Sequence, residues 1–130
     1  NAWIKSAEQK DYEAIMKDSA LHSYSDQYLR KNKLMLNMIS KIGAPKNFDR
    51  FITFSKACTT HNAYEELEKI TCPTLVIGGK QDKIVTYKAS EQIVSKIPNA
   101  KLKTYEEYGH ALYEEAKDFN NVVYEFCCGE

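Results

Sequence analysis

The sequence has no long hydrophobic run. Its strongly apolar stretches are three or four residues long, as in Leu75-Val76-Ile77, whereas a membrane-spanning helix needs about 20. The start, Asn1-Ala2-Trp3-Ile4-Lys5, has no basic residues leading into an apolar core and does not read as a signal peptide. It also lacks methionine, and Asn1-Ala2 reads as a trimmed or engineered start. No charge of either sign is in excess, because 18 Lys and Arg face 18 Asp and Glu. With acids interspersed throughout and no basic cluster forming a stripe, neither nucleic acid nor an anionic membrane is an expected partner. Cysteine is present in modest number, and Cys58, Cys72, Cys127 and Cys128 form no C-x-x-C. No histidine stands near them at zinc-ligand spacing. The adjacent pair Cys127-Cys128 has poor geometry for a mutual disulfide. Buried or incidental thiols are therefore expected, with a reducing, cytoplasmic location. No metal or organic cofactor is implied.

The 130 residues suffice for one ordinary domain with a genuine core, and two textures divide them. Residues 1–66 read as a helical segment. Ser6-x-x-Gln9 has the form of a capping box, with Tyr12, Ile15 and Met16 following at helical spacing. Tyr24, Tyr28, Met35, Met38, Ile39 and Ile42 predict a second helix, ended near Gly43 and Pro45. Asn47 is placed to cap a third, in which Phe48, Phe51, Ile52 and Cys58 share a side. Such stripes are ordinarily helix packing.

Residues 67–130 read as strand, helix, strand, helix. Thr74-Leu75-Val76-Ile77 predicts a strand covered on both faces, entered through Pro73. A Gly78-Gly79-Lys80-Gln81-Asp82 turn follows. Ala89, Ile93, Val94 and Ile97 form one helical face, which Pro98-Asn99 ends. Residues 101–105 alternate as a second strand. Phe119, Val122, Val123 and Phe126 then repeat at helical spacing behind Asp118 as a cap.

A strand-helix-strand crossover makes its strands parallel and nearly always right-handed. Their C-terminal ends then share one sheet edge, where α/β proteins keep their functional loops. Asp82 follows the first end and His110 the second. Taken singly, Asp82 is an ordinary turn former and His110 an ordinary loop residue. At matching strand ends they suit a carboxylate that fixes a histidine tautomer and stabilises its cation. Gly109 permits a tight bend before the imidazole. His22 and His61 have no comparable partner and read as structural.

Three stretches carry a family resemblance: Leu67 to Val85 around Cys72-Pro73-Thr74-Leu75-Val76-Ile77-Gly78-Gly79-Lys80-Gln81-Asp82, then Ile97-Pro98-Asn99-Ala100, then Tyr108-Gly109-His110-Ala111. Together they resemble the C-terminal part of the α/β-hydrolase fold, in its esterase and lactonase-like branch. The resemblance implies an α/β architecture in which residues 1–66 are a cap-like helical segment and residues 67–130 belong to the hydrolase core. It further implies that Asp82 is the acid and His110 the base of a catalytic triad, with Tyr24, Tyr28, Met35, Phe48 and Phe51 as candidates for the acyl pocket.

One departure is severe. A nucleophile elbow is G-x-S-x-G, yet none of Gly43, Gly78, Gly79, Gly109 and Gly129 frames a serine or cysteine in that way. The expectation is therefore a C-terminal fragment of a serine hydrolase of carboxylic esters, thioesters or lactones, inactive alone and completed by a missing N-terminal core segment. An uncovered sheet edge predicts self-association of such a fragment. Two other readings stand beside this one: a non-catalytic binding or oligomerising module, and a non-hydrolytic member of the fold, haloperoxidase- or lyase-like.

Overall fold

Two short parallel strands organise the second half of the chain in the computed structural model, which describes residues 2–129. Asn1 and Glu130, the ends of the two predicted segments, lie outside the described residues. Strand β1 (Thr74–Gly79) pairs with β2 (Ala100–Tyr105), in register from Thr74 opposite Ala100 to Gly79 opposite Tyr105. The crossover between them contains helix α6 (Tyr87–Lys96), which packs on both strands. Gly78 and Gly79, expected in the turn, belong to β1. The strand is not covered on both faces, since Thr74 to Ile77 stay half-buried and β2 is its one partner among the described residues.

The first half is helical: α1 (Ala2–Glu8), α2 (Tyr12–Ser23), α3 (Asp26–Lys31), α4 (Lys33–Ile39) and α5 (Asp49–Thr60), before a 3-10 turn at Tyr64–Lys69. Ser6 lies inside α1 and caps nothing. The chain turns at Lys10, and the cap of α2 is Asp11, whose side chain accepts from the Ala14 amide at 2.9 Å. The helix expected across residues 24–42 is broken at Asn32. There Asn32 leaves helical geometry (φ −107°, ψ 15°), and its side-chain amide joins its backbone amide on the Tyr28 carbonyl, at 3.0 and 2.9 Å. Ser25 starts α3 by accepting from the Tyr28 amide at 3.2 Å. Phe48, rather than Asn47, occupies the cap position of α5, without a side-chain bond.

Buried apolar residues form two groups. Ala7, Ile15 and Phe48 pack with Tyr12, Phe51 and Ile52 among the helices. Tyr105, Leu112 and Ala116 pack with Ile77, Tyr108 and Phe119 beside the sheet. The latter group receives the short α7 (Leu112–Glu115) and the terminal α8 (Phe119–Cys128). Asp118 occupies the cap position of α8, as expected, but makes no side-chain capping bond. Its carboxylate accepts from the Tyr105 hydroxyl at 3.0 Å and lies 3.7 Å from Lys103. Burial, with the neighbouring Asp118, pushes the Tyr105 phenol up to about 12. All four cysteines are free and exposed, including Cys58, which lies outside the helical core. Among the described residues, no helix is long and apolar enough to cross a membrane.

Candidate active site

Asp82 and His110 leave the C-terminal ends of β1 and β2, and their side chains meet. His110 Nδ1 lies 2.9 Å from Asp82 Oδ2. The other carboxylate oxygen accepts the amides of Ile84 at 2.7 Å and Val85 at 3.0 Å, so the loop folds around the acid. Burial, the largest single influence, pushes the Asp82 carboxyl up. The bonds from His110 and from the Val85 and Ile84 amides together outweigh it and hold the group below its ordinary value. An ionised carboxylate can only accept, so His110 Nδ1 carries the proton and donates. Asp82 is 12% exposed and His110 41%. Nε2 forms no hydrogen bond among the described residues and remains open.

The backbone behind His110 is clamped from two sides. The Lys80 amide donates to the Tyr105 carbonyl at 2.8 Å, and the Gln81 amide to the Tyr108 carbonyl at 3.1 Å. This approach requires glycine at 79, because a Cβ there would lie 2.4 Å from the Tyr108 carbonyl oxygen and 2.7 Å from that of Gly109. On the opposite side, the Ala111 amide donates to the Ser23 carbonyl at 2.8 Å. A Cβ on Gly109 would meet that same carbonyl oxygen at 2.7 Å.

Helical residues close one flank. Glu115 accepts the Ser25 amide at 3.0 Å and the Ser25 hydroxyl at 2.5 Å, and Glu114 accepts the Tyr24 hydroxyl at 2.8 Å. Burial, then the bond to Glu114 and its charge, raises the Tyr24 phenol and keeps it a donor. A cavity of about 310 Å³ lies beside His110, walled by Tyr24, Tyr28, Met35, Ile39 and Tyr113. The Tyr24 and Tyr28 rings stack with centroids 4.4 Å apart. Of the predicted pocket residues, Tyr24, Tyr28 and Met35 therefore line this cavity. Phe48 and Phe51 do not, because they pack in the helical core, where Phe48 is only 8% exposed. His22 sits elsewhere, donating Nδ1 to the Asp18 carbonyl at 2.8 Å, and His61 follows the end of α5.

The ties from Ser25 and Ser23 escaped sequence reasoning because they join residues nearly ninety positions apart. Only the Ser25-Asp26 start of α3 had a local signal. Among the described residues no group of three or more His, Cys, Asp or Glu is placed to hold a metal ion.

Comparison with known proteins identifies the family and the fold. The family model described as serine aminopeptidase, S33, matches residues 51–117, just over half of the chain. A 2-hydroxy-6-oxononadienedioate/2-hydroxy-6-oxononatrienedioate hydrolase of Cupriavidus pinatubonensis is 30% identical over 111 residues, covering 84% of this chain and 34% of its own length. The solved structure of an α/β-hydrolase enzyme from a Medee basin deep-sea metagenome library superposes with a TM-score of 0.82 at 26% identity. That match covers 99% of this chain and 49% of the other. An enol-lactonase from Burkholderia xenovorans shares the fold at a TM-score of 0.84 and 18% identity, over 98% of this chain and 49% of its own. The chain thus spans about a third of the curated relatives it matches and about half of these solved chains. It belongs to the serine aminopeptidase S33 family of α/β hydrolases and carries the C-terminal portion of that fold.

Proposed function

We propose that this chain supplies the acid and base of a serine hydrolase acting on carboxylic esters, thioesters or lactones. The observation that carries the proposal is the 2.9 Å contact between His110 Nδ1 and Asp82 Oδ2, beside the cavity walled by Tyr24, Tyr28, Met35 and Ile39. Residues 1–66 serve as the cap and residues 67–130 as part of the catalytic core. The nucleophilic serine comes from a segment outside this sequence. His110 Nε2 takes the proton as the serine oxygen attacks the carbonyl, and Asp82 stabilises the resulting imidazolium. Backbone amides of that other segment hold the oxyanion. His110 then returns the proton to the departing alcohol or thiol, and water attacking the acyl-enzyme by the same base completes the cycle.

The acyl group rests against Tyr24, Tyr28, Met35 and Ile39. No Lys or Arg is among the described residues lining this cavity, and Glu114 contributes a carboxylate.

The test is p-nitrophenyl ester hydrolysis by the parent protein, by this chain alone and by the parent carrying His110→Ala. Activity in the parent that is lost in the other two is the expected result. A parent inert on both short and medium acyl chains would remove the hydrolytic reading and bring forward the binding or non-hydrolytic alternatives.

A further inference from the structure

The balanced net charge conceals a one-sided segment. Residues 27–48 hold Arg30, Lys31, Lys33, Lys41 and Lys46 and not one Asp or Glu, although the whole chain has 18 of each sign. All five cations are exposed, and none makes an ion pair among the described residues. The same segment leaves large apolar side chains in water. Leu34 is 82% exposed, Met38 64% and Ile42 65%. Leu34 and Met38 stand one turn apart on α4, which buries none of its residues. Next to them a groove of about 360 Å³ has Leu21, Leu29 and Leu36 on its apolar wall and Arg30 and Lys33 at its side. Exposed apolar groups ringed by unpaired cations match the boundary of an anionic bilayer, where acyl chains meet negative headgroups.

We propose that α4 and its flanks dock this protein on a membrane surface containing anionic lipid, with Leu34, Met38 and Ile42 entering the boundary and Lys31, Lys33 and Lys41 meeting headgroups. Charge complementarity selects this occupant, since another apolar protein face would leave five cations unmatched. The inference is independent of the catalytic reading, because none of these six residues lines the cavity beside His110.

Co-sedimentation with phosphatidylcholine vesicles, with and without phosphatidylserine, provides the test, applied to this chain and to the parent protein. Both are expected to bind only the phosphatidylserine vesicles and to detach at high salt. A combined Lys31→Gln, Lys33→Gln, Lys41→Gln variant should bind roughly a hundredfold more weakly, at about fivefold per lysine. Leu34→Ser with Met38→Ser should also weaken binding while circular dichroism stays unchanged, because both side chains are already in water. Three results would overturn the proposal: equal binding without phosphatidylserine, binding untouched by both variants, or binding by this chain that vanishes in the parent. The last would show that the surface is covered within the complete protein.

Discussion

Replacing Gly79 with alanine tests whether the His110 loop is held by main-chain contact. The new methyl carbon would stand 2.4 Å from the Tyr108 carbonyl oxygen and 2.7 Å from the Gly109 carbonyl oxygen. Both neighbours are backbone, so no rotamer change relieves the overlap. The loop must withdraw, weakening the Gln81-to-Tyr108 bond of 3.1 Å and the Lys80-to-Tyr105 bond of 2.8 Å. Overpacking costs about 1–3 kcal/mol, and each lost bond adds about 0.5–1.5 kcal/mol. The expected destabilisation is about 2–6 kcal/mol. At about 4 °C per kcal/mol for a chain of this size, the melting temperature falls by roughly 8–24 °C. Gly78→Ala supplies the contrast, because its methyl would meet Ser90 Oγ at 2.7 Å and Ser90 Cβ at 2.9 Å, both side-chain atoms. Adding Ser90→Gly should therefore restore most of the Gly78→Ala loss, short of about 1 kcal/mol for a helical glycine. It should restore nothing to Gly79→Ala. Thermal melts of the four variants decide the matter. A Gly79→Ala protein that melts with the wild type, or one rescued by Ser90→Gly, would refute the clamp.

Two further outcomes follow from the same loops. Asp82 titrates below its ordinary value of 3.8 in the folded chain. Its contribution to stability is therefore complete above that value and drains away as pH falls through the lower folded value. Asp82→Ala should flatten this acid limb in denaturant titrations and lower stability at neutral pH, whereas an unchanged acid limb would show that other carboxylates control it. Thr86, just before α6, has φ 61° and ψ 144°, a conformation that costs a β-branched residue about 1–3 kcal/mol. Thr86→Gly should raise the unfolding free energy by a net of about 0.5–2 kcal/mol once the added freedom of the unfolded chain is subtracted, read as a higher denaturation midpoint. A lowered midpoint would show that the Thr86 side chain contributes more than its backbone costs.

Local patterns made the α/β half legible. Thr74 to Ile77, the face of Ala89 and Ile93, and residues 101–105 have the periods of strand, helix and strand, and a crossover of that length enforces parallel pairing. Asp82 and His110 therefore had to follow neighbouring strand ends. The helical half was less legible because its breaks depend on single side chains. Asp11 and Ser25 cap helices whose starts resemble other positions equally well, and a continuous apolar pattern is interrupted at the single residue Asn32, which leaves helical geometry. Averaging charge over the whole chain likewise concealed the acid-free segment from 27 to 48.

Local pattern in the sequence sufficed for the strand-helix-strand order of the second half, its parallel pairing and the arrival of an acid and a histidine at one edge, because periodicity and connection length are local properties. Tertiary structure alone decided that Gly79 admits the His110 backbone and that Ser23 and Ser25 brace it from the helical side. It also decided that Tyr24, Tyr28 and Met35, not Phe48 and Phe51, wall the cavity. Those contacts join residues far apart in the chain, and packing selects among side chains that a helical stripe presents as equivalent.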